Sequence, residues 1–333
     1  MSRARRTLLG ALLAALVLAT ILARAQASTL DDAQNLFDRG QYSQAADLLS
    51  AAIAKSPDAP QFHFLLGRSY FEMADYMRSI SSLERAVELA NANSQYHDWL
   101  GKAYGLKAEE TESLMFLTAL SYARKARHEF EIAVQLDSGN LEAQRDLIQY
   151  LTNAPAFAGG GDDKALRQID ELAKVDPMEA QLARAQYWVY KKNFAEADKL
   201  YKAVLNGGPK RVGVCFEVAD YYRDRGDAAD MEAAVQAGMK LDANDRRMSY
   251  YRGVADVLGG QRAAEAEQLL RNYLATMPAN SEAPSQASAH EWLGQLFEQE
   301  GRNLEAAQEY KASLSLNPHD RNVREALRRV QKK

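Results

Sequence analysis

After residue 27 the chain is written almost entirely in one hydrophobic rhythm. Apolar residues return every three or four positions while charged residues fill the opposite face, the spacing of amphipathic helices. Strand-like alternation is absent, and only eight prolines interrupt the pattern. The rhythm predicts helices of about 12–15 residues joined by tight turns. It also repeats. "LGRSY" begins at Leu66, "LGKAY" at Leu100, a separation of 34, and "LGQLF" at Leu293. "GQYSQAADLLSAAIAKSP" (Gly40–Pro57) has a counterpart in "GRNLEAAQEYKASLSLNP" (Gly301–Pro318), and "NFAEADKLYKAVLNGGP" (Asn193–Pro209) restates the theme. Gly67, Gly101 and Gly294 share one position on a first helix, with Tyr70, Tyr104 and Phe297 three residues later on the same face. Ala45, Ala197 and Ala306 take the matching place on a second helix. Small residues at such positions let two helices approach while larger neighbours fill the groove beside them.

This period and this pattern of small and large residues resemble the tetratricopeptide repeat, two antiparallel helices with proline ending the second. The resemblance implies an all-α, right-handed superhelical solenoid of stacked helix pairs, because each pair leaves an apolar face that only a neighbour covers. The units fall at about 28–59, 60–93, 94–140, 141–177, 178–211, 212–245, 246–280 and 287–320, and residues 321–333 read as a polar capping helix. In the sixth and seventh units Met231, and Glu265 or Ala266, compete for the small position.

Two units depart from the pattern. In the third, Tyr104 and Ala126 are 22 residues apart, where the equivalent pairs Trp188/Ala197 and Phe297/Ala306 are nine apart. The extra residues contain neither Gly nor Pro, so both helices of this unit are expected to run on, forming a protruding hairpin near 105–122. Leu114, Met115, Phe116 and Leu117 are consecutive apolar residues that no single helical face can bury, so some should touch the fourth unit and the rest be free for a partner. The fourth unit carries "APAFAGGGDDK" (154–164) where its inter-helix turn belongs. A phosphate loop would need Gly before Lys164 and Ser or Thr after it, and the sequence has Asp163 and Ala165. Turn chemistry accounts for the same residues: Pro155 ends a helix, the glycines permit positive φ, and Asp162 or Asp163 caps the next helix.

The first 27 residues read as a signal peptide: Arg3, Arg5 and Arg6, an apolar run Leu8–Leu22, and a small-x-small cleavage site after Ala27. The run is shorter than the roughly 20 residues a spanning helix needs, and Ser28-Thr29-Leu30-Asp31-Asp32 resembles a helix start directly after the cut. The expectation is an exported chain, periplasmic or secreted; the alternative is an uncleaved leader anchoring it to the inner membrane. The whole chain carries −4, and about −8 once the four leader arginines are removed, which opposes a polyanion and argues against nucleic acid.

Catalytic chemistry finds no foothold. His63, His97 and His290 each lie four residues before a repeat glycine, and Cys215 four before Ala219, so one packing position explains them all. No metal, thiol or calcium-loop motif occurs, and no cofactor is expected. The expected function is therefore a non-enzymatic scaffold holding a protein or peptide partner in a concave groove; an enzyme using the turn at 159–164 is the distant alternative. Groove-facing offsets on the first helices give Phe64, Arg68, Phe71, Trp99, Lys102, Tyr190, Phe216, Arg223, Tyr250, Tyr251 and Trp292, and the hairpin adds Met115 and Phe116. The same offsets border the neighbouring helix, so packing competes with recognition at each. The basic and asparagine clamp of chaperone-tail-binding tetratricopeptide domains is not matched, since Leu30, Gln34 and Leu65 stand in its places.

Overall fold

The computed structural model describes residues 26–276 and 283–332. All regular structure among them is helical. α1 (26–38) pairs with α2 (Tyr42–Ile53), α3 (Pro60–Glu72) with α4 (Tyr76–Leu89), α5 (Ser94–Glu110) with α6 (Phe116–Leu136), and α7 (Leu141–Asn153) with α8 (Asp162–Val175). α9 (Pro177–Tyr190) precedes α10 (Phe194–Asn206), α11 (Val212–Arg225) pairs with α12 (Ala228–Leu241), α13 (Met248–Gly259) with α14 (Ala263–Thr276), and α15 (Gln286–Gln299) with α16 (Asn303–Leu316), before a final helix α17 (Arg321–Val330). The fold is an all-α helical-repeat solenoid. The chain divides into two compact units, Met1–Ala197 and Asp198–Lys333.

Within each unit the repeat glycines sit where a large side chain of the facing helix lies directly against the backbone. A Cβ on Gly67 would lie 2.5 Å from Leu83, one on Gly101 2.7 Å from the Phe130 ring, and one on Gly294 2.5 Å from Tyr310. Ala45, Ala126, Ala165 and Ala306 on the second helices are completely buried. At the two ambiguous positions Met231 and Ala266 are buried, while Glu265 turns outward to Arg252. Polar caps separate the helices: Asp75, Asn93, Asn140, Asp176, Asp227, Ser285 and Asp320 each accept a hydrogen bond from a backbone N–H of the following first turn.

Three sequence expectations change. Pro177 opens α9 at its first turn, where its missing N–H costs nothing, instead of closing α8. Ser28 and Thr29 do not begin a helix, because α1 already runs from residue 26, where the Gln26 amide donates to Ser56 Oγ at 2.9 Å. The cap before α8 is Gly161 at φ +138°, with no side-chain bond; Asp162 and Asp163 lie within the first turn instead, where their charge suits the helix N-terminus, and Asp162 also pairs with Lys191. The leader's charged and apolar segments (1–25) lie outside the described residues.

Candidate functional site in the third helix pair

The inserted residues lengthen both helices of the third pair: α5 spans 17 residues and α6 21, against 12–14 in most other pairs. A short 3-10 turn, Ser113–Met115, joins them. The tip leaves Leu114 93% and Leu117 78% exposed, with Met115 and Phe116 about half covered. Phe116 leans on Phe157 of the fourth unit, their ring centroids 5.5 Å apart, and the Arg124 guanidinium donates to the Phe157 carbonyl at 3.2 Å.

The turn that carries Phe157 is tightly built. After Pro155, a 3-10 turn (Ala156–Ala158) leads into Gly159 at φ +101°. The Gly160 N–H donates to Pro155 O, the Gly161 N–H to Leu151 O at 2.8 Å, and Lys164 Nζ to Gly159 O. The amides of Ala158 to Gly161 and the lysine are thus spent on backbone carbonyls, and Asp162 and Asp163 put negative charge where a phosphate would approach the first turn of α8. The Tyr150 hydroxyl donates to Ala158 O at 2.9 Å, tying the turn to α7.

Between the long hairpin, α7 and this turn lies a cavity of about 530 Å³. Phe71, Leu106, Phe116, Leu120, Phe130 and Phe157 make its walls largely apolar, and Lys102 and Asp146 stand at its polar side. Lys102 is the centre of a charge cluster. Its ammonium lies 3.1 Å from Asp98 Oδ2 and 3.1 Å from Asp146 Oδ2, and it also donates to Glu142. The three carboxylates offer oxygens within 4.8 Å of one another. Asp98 is 1% exposed and its Oδ1 has no hydrogen-bond partner. Burial, reinforced by Asp146 and opposed by Lys102, pushes the Asp98 carboxyl up to about 8. Burial likewise raises Asp146. For Lys102 burial works against the charged form, but Asp98, Asp146 and Glu142 outweigh it and hold its pKa above the ordinary lysine value.

Trp99 joins this cluster to a second cation. Lys102 Nζ is 4.7 Å from its ring centroid and the Arg68 guanidinium 4.6 Å, while Phe71 packs edge-on at 5.3 Å. Arg68 is itself layered over Phe37 at 4.6 Å and Phe64 at 5.6 Å, and its Nε finds no hydrogen-bond partner. Five of the sequence candidates (Phe64, Arg68, Phe71, Trp99 and Lys102) thus form one stack, with Met115 and Phe116 at the hairpin tip. Of these Phe64 is a correction: it is buried against Tyr96, centroids 4.5 Å apart, and serves packing.

The candidates beyond the third helix pair, mostly in Asp198–Lys333, are largely core. Phe216 and Tyr251 are buried and stack 4.2 Å apart and almost parallel, with Arg247 on the outer face of Phe216. The Tyr251 hydroxyl donates to Asp220 Oδ2 at 2.9 Å, and Arg223 pairs with the same carboxylate. Tyr250 is completely buried and its hydroxyl meets Ser288 Oγ at 2.7 Å. Phe216, Tyr250 and Tyr251 are therefore packing residues, because their rings fill the space between consecutive first helices; Trp292 is half-buried and Tyr190 half-exposed. Two of the three register histidines behave alike: His97 Nδ1 meets Glu129 and His290 Nδ1 meets Glu309, each at 2.6 Å, bridging the two helices of a pair, whereas His63 Nε2 meets Pro57 O at 2.8 Å. Cys215 is buried.

The carboxylates of this site escaped the sequence reading. Asp98 with Lys102 and Glu142 with Asp146 are each one helical turn apart, which was legible; that the two pairs meet across α5 and α7 was not, because the insertion displaces them from the 34-residue register.

Stacked antiparallel hairpins that close on glycine and alanine define a helical-repeat protein. Residues 36–103 and 256–321 each match a family profile described as tetratricopeptide repeat, so the chain carries tetratricopeptide repeats in both of its compact units. No curated protein is significantly similar to it. Among solved structures, a tetratricopeptide-repeat protein from Parabacteroides merdae is similar at 16% identity over 82% of this chain and 98% of that one, with a TM-score of 0.47. One from Thermus thermophilus is similar at 17% identity over 57% of this chain and 94% of that one, TM-score 0.45. The C-terminal part of a repeat-containing protein from Cytophaga hutchinsonii is similar at 17% identity over 90% and 99%, TM-score 0.41.

Proposed function

We propose that the chain is a non-enzymatic scaffold of the bacterial cell envelope whose recognition site is the cavity of the third helix pair. Tetratricopeptide repeats are in general protein-interaction modules and typically lack catalysis. The observation that carries the finer reading is the cavity itself: a largely apolar chamber of about 530 Å³, walled in part by residues of the insertion and the widened turn (Leu106, Phe116, Leu120 and Phe157), with Leu114 and Leu117 exposed at the hairpin tip beside Phe116. A partner's apolar side chain entering it would cover surface that is otherwise left to water. Export rests on the leader pattern at 1–27. Among the described residues no helix is long and apolar enough to cross a membrane, so anchoring would fall to the leader, and the mass of the mature N-terminus distinguishes the two cases.

The test places a photocrosslinking amino acid at position 117 of the full chain, in cells. A protein adduct that disappears when Ala119→Trp fills the cavity supports the reading. Adducts that are unchanged by Ala119→Trp, or by deletion of 107–119, would place recognition elsewhere.

A further inference from the structure

Resting on that reading, we propose that the segment received by the cavity carries a lysine or arginine next to its apolar anchor, and that Asp98, Glu142 and Asp146 receive this basic group. The charge count at the polar side is unequal. Three carboxyl groups, of which burial keeps Asp98 largely protonated at neutral pH, face one ammonium, that of Lys102, which meets Glu142, Asp98 and Asp146. The other nearby cation, Arg68, is layered between Phe37 and Trp99. Acceptor capacity is unfilled as well: Asp98 Oδ1 is sealed from water and has no donor. A buried oxygen without a donor is costly, and a charged donor satisfies it best.

The shape favours a long basic side chain over a bare ion. Lys102 already occupies the space among the carboxylates, so a divalent cation would have to enter against its charge. A lysine or arginine stem is apolar along its length and charged at its end. The cavity has the same polarity, running from Leu120, Phe116 and Phe157 to Asp146. Asp146, 21% exposed, lines the cavity beside Lys102, so a group entering there meets it first; Glu142, 56% exposed, completes the cluster.

The experiment uses the purified full chain and short fluorescein-labelled peptides that hold a Phe or Leu anchor. At one to four residues from the anchor they carry Lys, Gln or Glu, and binding is read by fluorescence anisotropy at low ionic strength. Lys peptides are expected to bind about tenfold more tightly than Gln peptides, with Glu peptides weakest. In the isosteric Glu142→Gln, Asp146→Asn variant, checked for unchanged helicity, the Lys advantage should fall to about twofold or less while the need for the anchor persists. Anchor-dependent binding without a Lys preference, or a preference that survives in the double variant, overturns this inference and leaves the interaction reading standing. No binding by any peptide, with Ala119→Trp also without effect in the crosslinking test, removes both. Saturable binding of calcium or magnesium ions alone, abolished in the double variant, would make the cluster a metal site and overturn the proposal.

Discussion

Replacing Gly160 by alanine isolates what the widened turn contributes. Its φ is not in the left-handed region, so alanine meets no conformational barrier there; the obstacle is contact. The new Cβ would stand 1.8 Å from the Ala154 carbonyl oxygen and 2.6 Å from its carbon, and ordinary contact begins only at 3.4 Å. Both atoms are backbone, so no rotamer change relieves the overlap. The turn must move by more than an ångström, which breaks Gly161 N–H to Leu151 O and Gly160 N–H to Pro155 O, and draws Ala158 O away from the Tyr150 hydroxyl. At a net ~1 kcal/mol for each bond the cost is about 3 kcal/mol. A repeat array need not unfold in one step, so the informative reading is local. Native-state hydrogen exchange of the Gly161 amide should lose about two orders of magnitude of protection. Gly105→Ala, in α5 with open space around it, is the control, and should stabilise the helix by about 0.5–1 kcal/mol. Unchanged protection of the Gly161 amide in Gly160→Ala would refute the steric account. Intact protection with lost peptide binding would show that the turn acts through something other than its packing.

Other consequences follow from burial and charge. Asp98, raised from 3.8 to about 8, stabilises the fold fully below its ordinary carboxylate range, and that contribution falls away as pH rises from about 4 and is gone above about 8; Asp98→Asn should therefore melt progressively higher than the parent between about pH 4 and 8, and parallel melting curves would contradict this. Tyr250→Ala removes a completely buried ring and should cost about 3–5 kcal/mol in the second unit by denaturant titration; a loss under ~1 kcal/mol would return that ring to the surface. Leu117→Ala, at a position 78% exposed, should leave the melting curve in place. The same change should weaken partner binding by about 1–3 kcal/mol, and equal binding would remove the tip from the interface.

The repeat architecture was readable because its closest contacts fall on residues with almost no side chain. Gly67, Gly101 and Gly294 recur in register since nothing larger fits against Leu83, Phe130 and Tyr310. The long hairpin was readable for the opposite reason, a long interval between Tyr104 and Ala126 in which residues 106–125 contain neither Gly nor Pro. Ring placement was harder. On a first helix the offset that faces the groove and the one that faces the next first helix differ by a single residue, about 100° of rotation. Trp99 falls on the open side of that divide, whereas Phe216 and Tyr251 turn inward and stack on each other. The cap of α8 went to Gly161 because the backbone there is already turned at φ +138° and begins the helix one residue earlier. The Asp98–Asp146 meeting needed the fold itself: the two are 48 residues apart, an interval that no 34-residue register anticipates.

The lengthened hairpin and the widened turn beside it are complementary halves of one device. The additional turns of α5 and α6 grow from the free end of their hairpin, past the crossing of Gly101 and Phe130, and the fourth unit's turn reaches up to meet them through Phe157. At its outer borders the device reverts to ordinary repeat chemistry, with Asn93 capping α5 and Asp176 with Pro177 opening α9. Residues 94–175 therefore behave as a cassette. Such a segment could be spliced between two unmodified repeats provided the preceding first helix kept a ring at the place of Phe71, which completes the chamber from outside the cassette, and the rest of its lining could drift toward a new partner without disturbing the frame on either side.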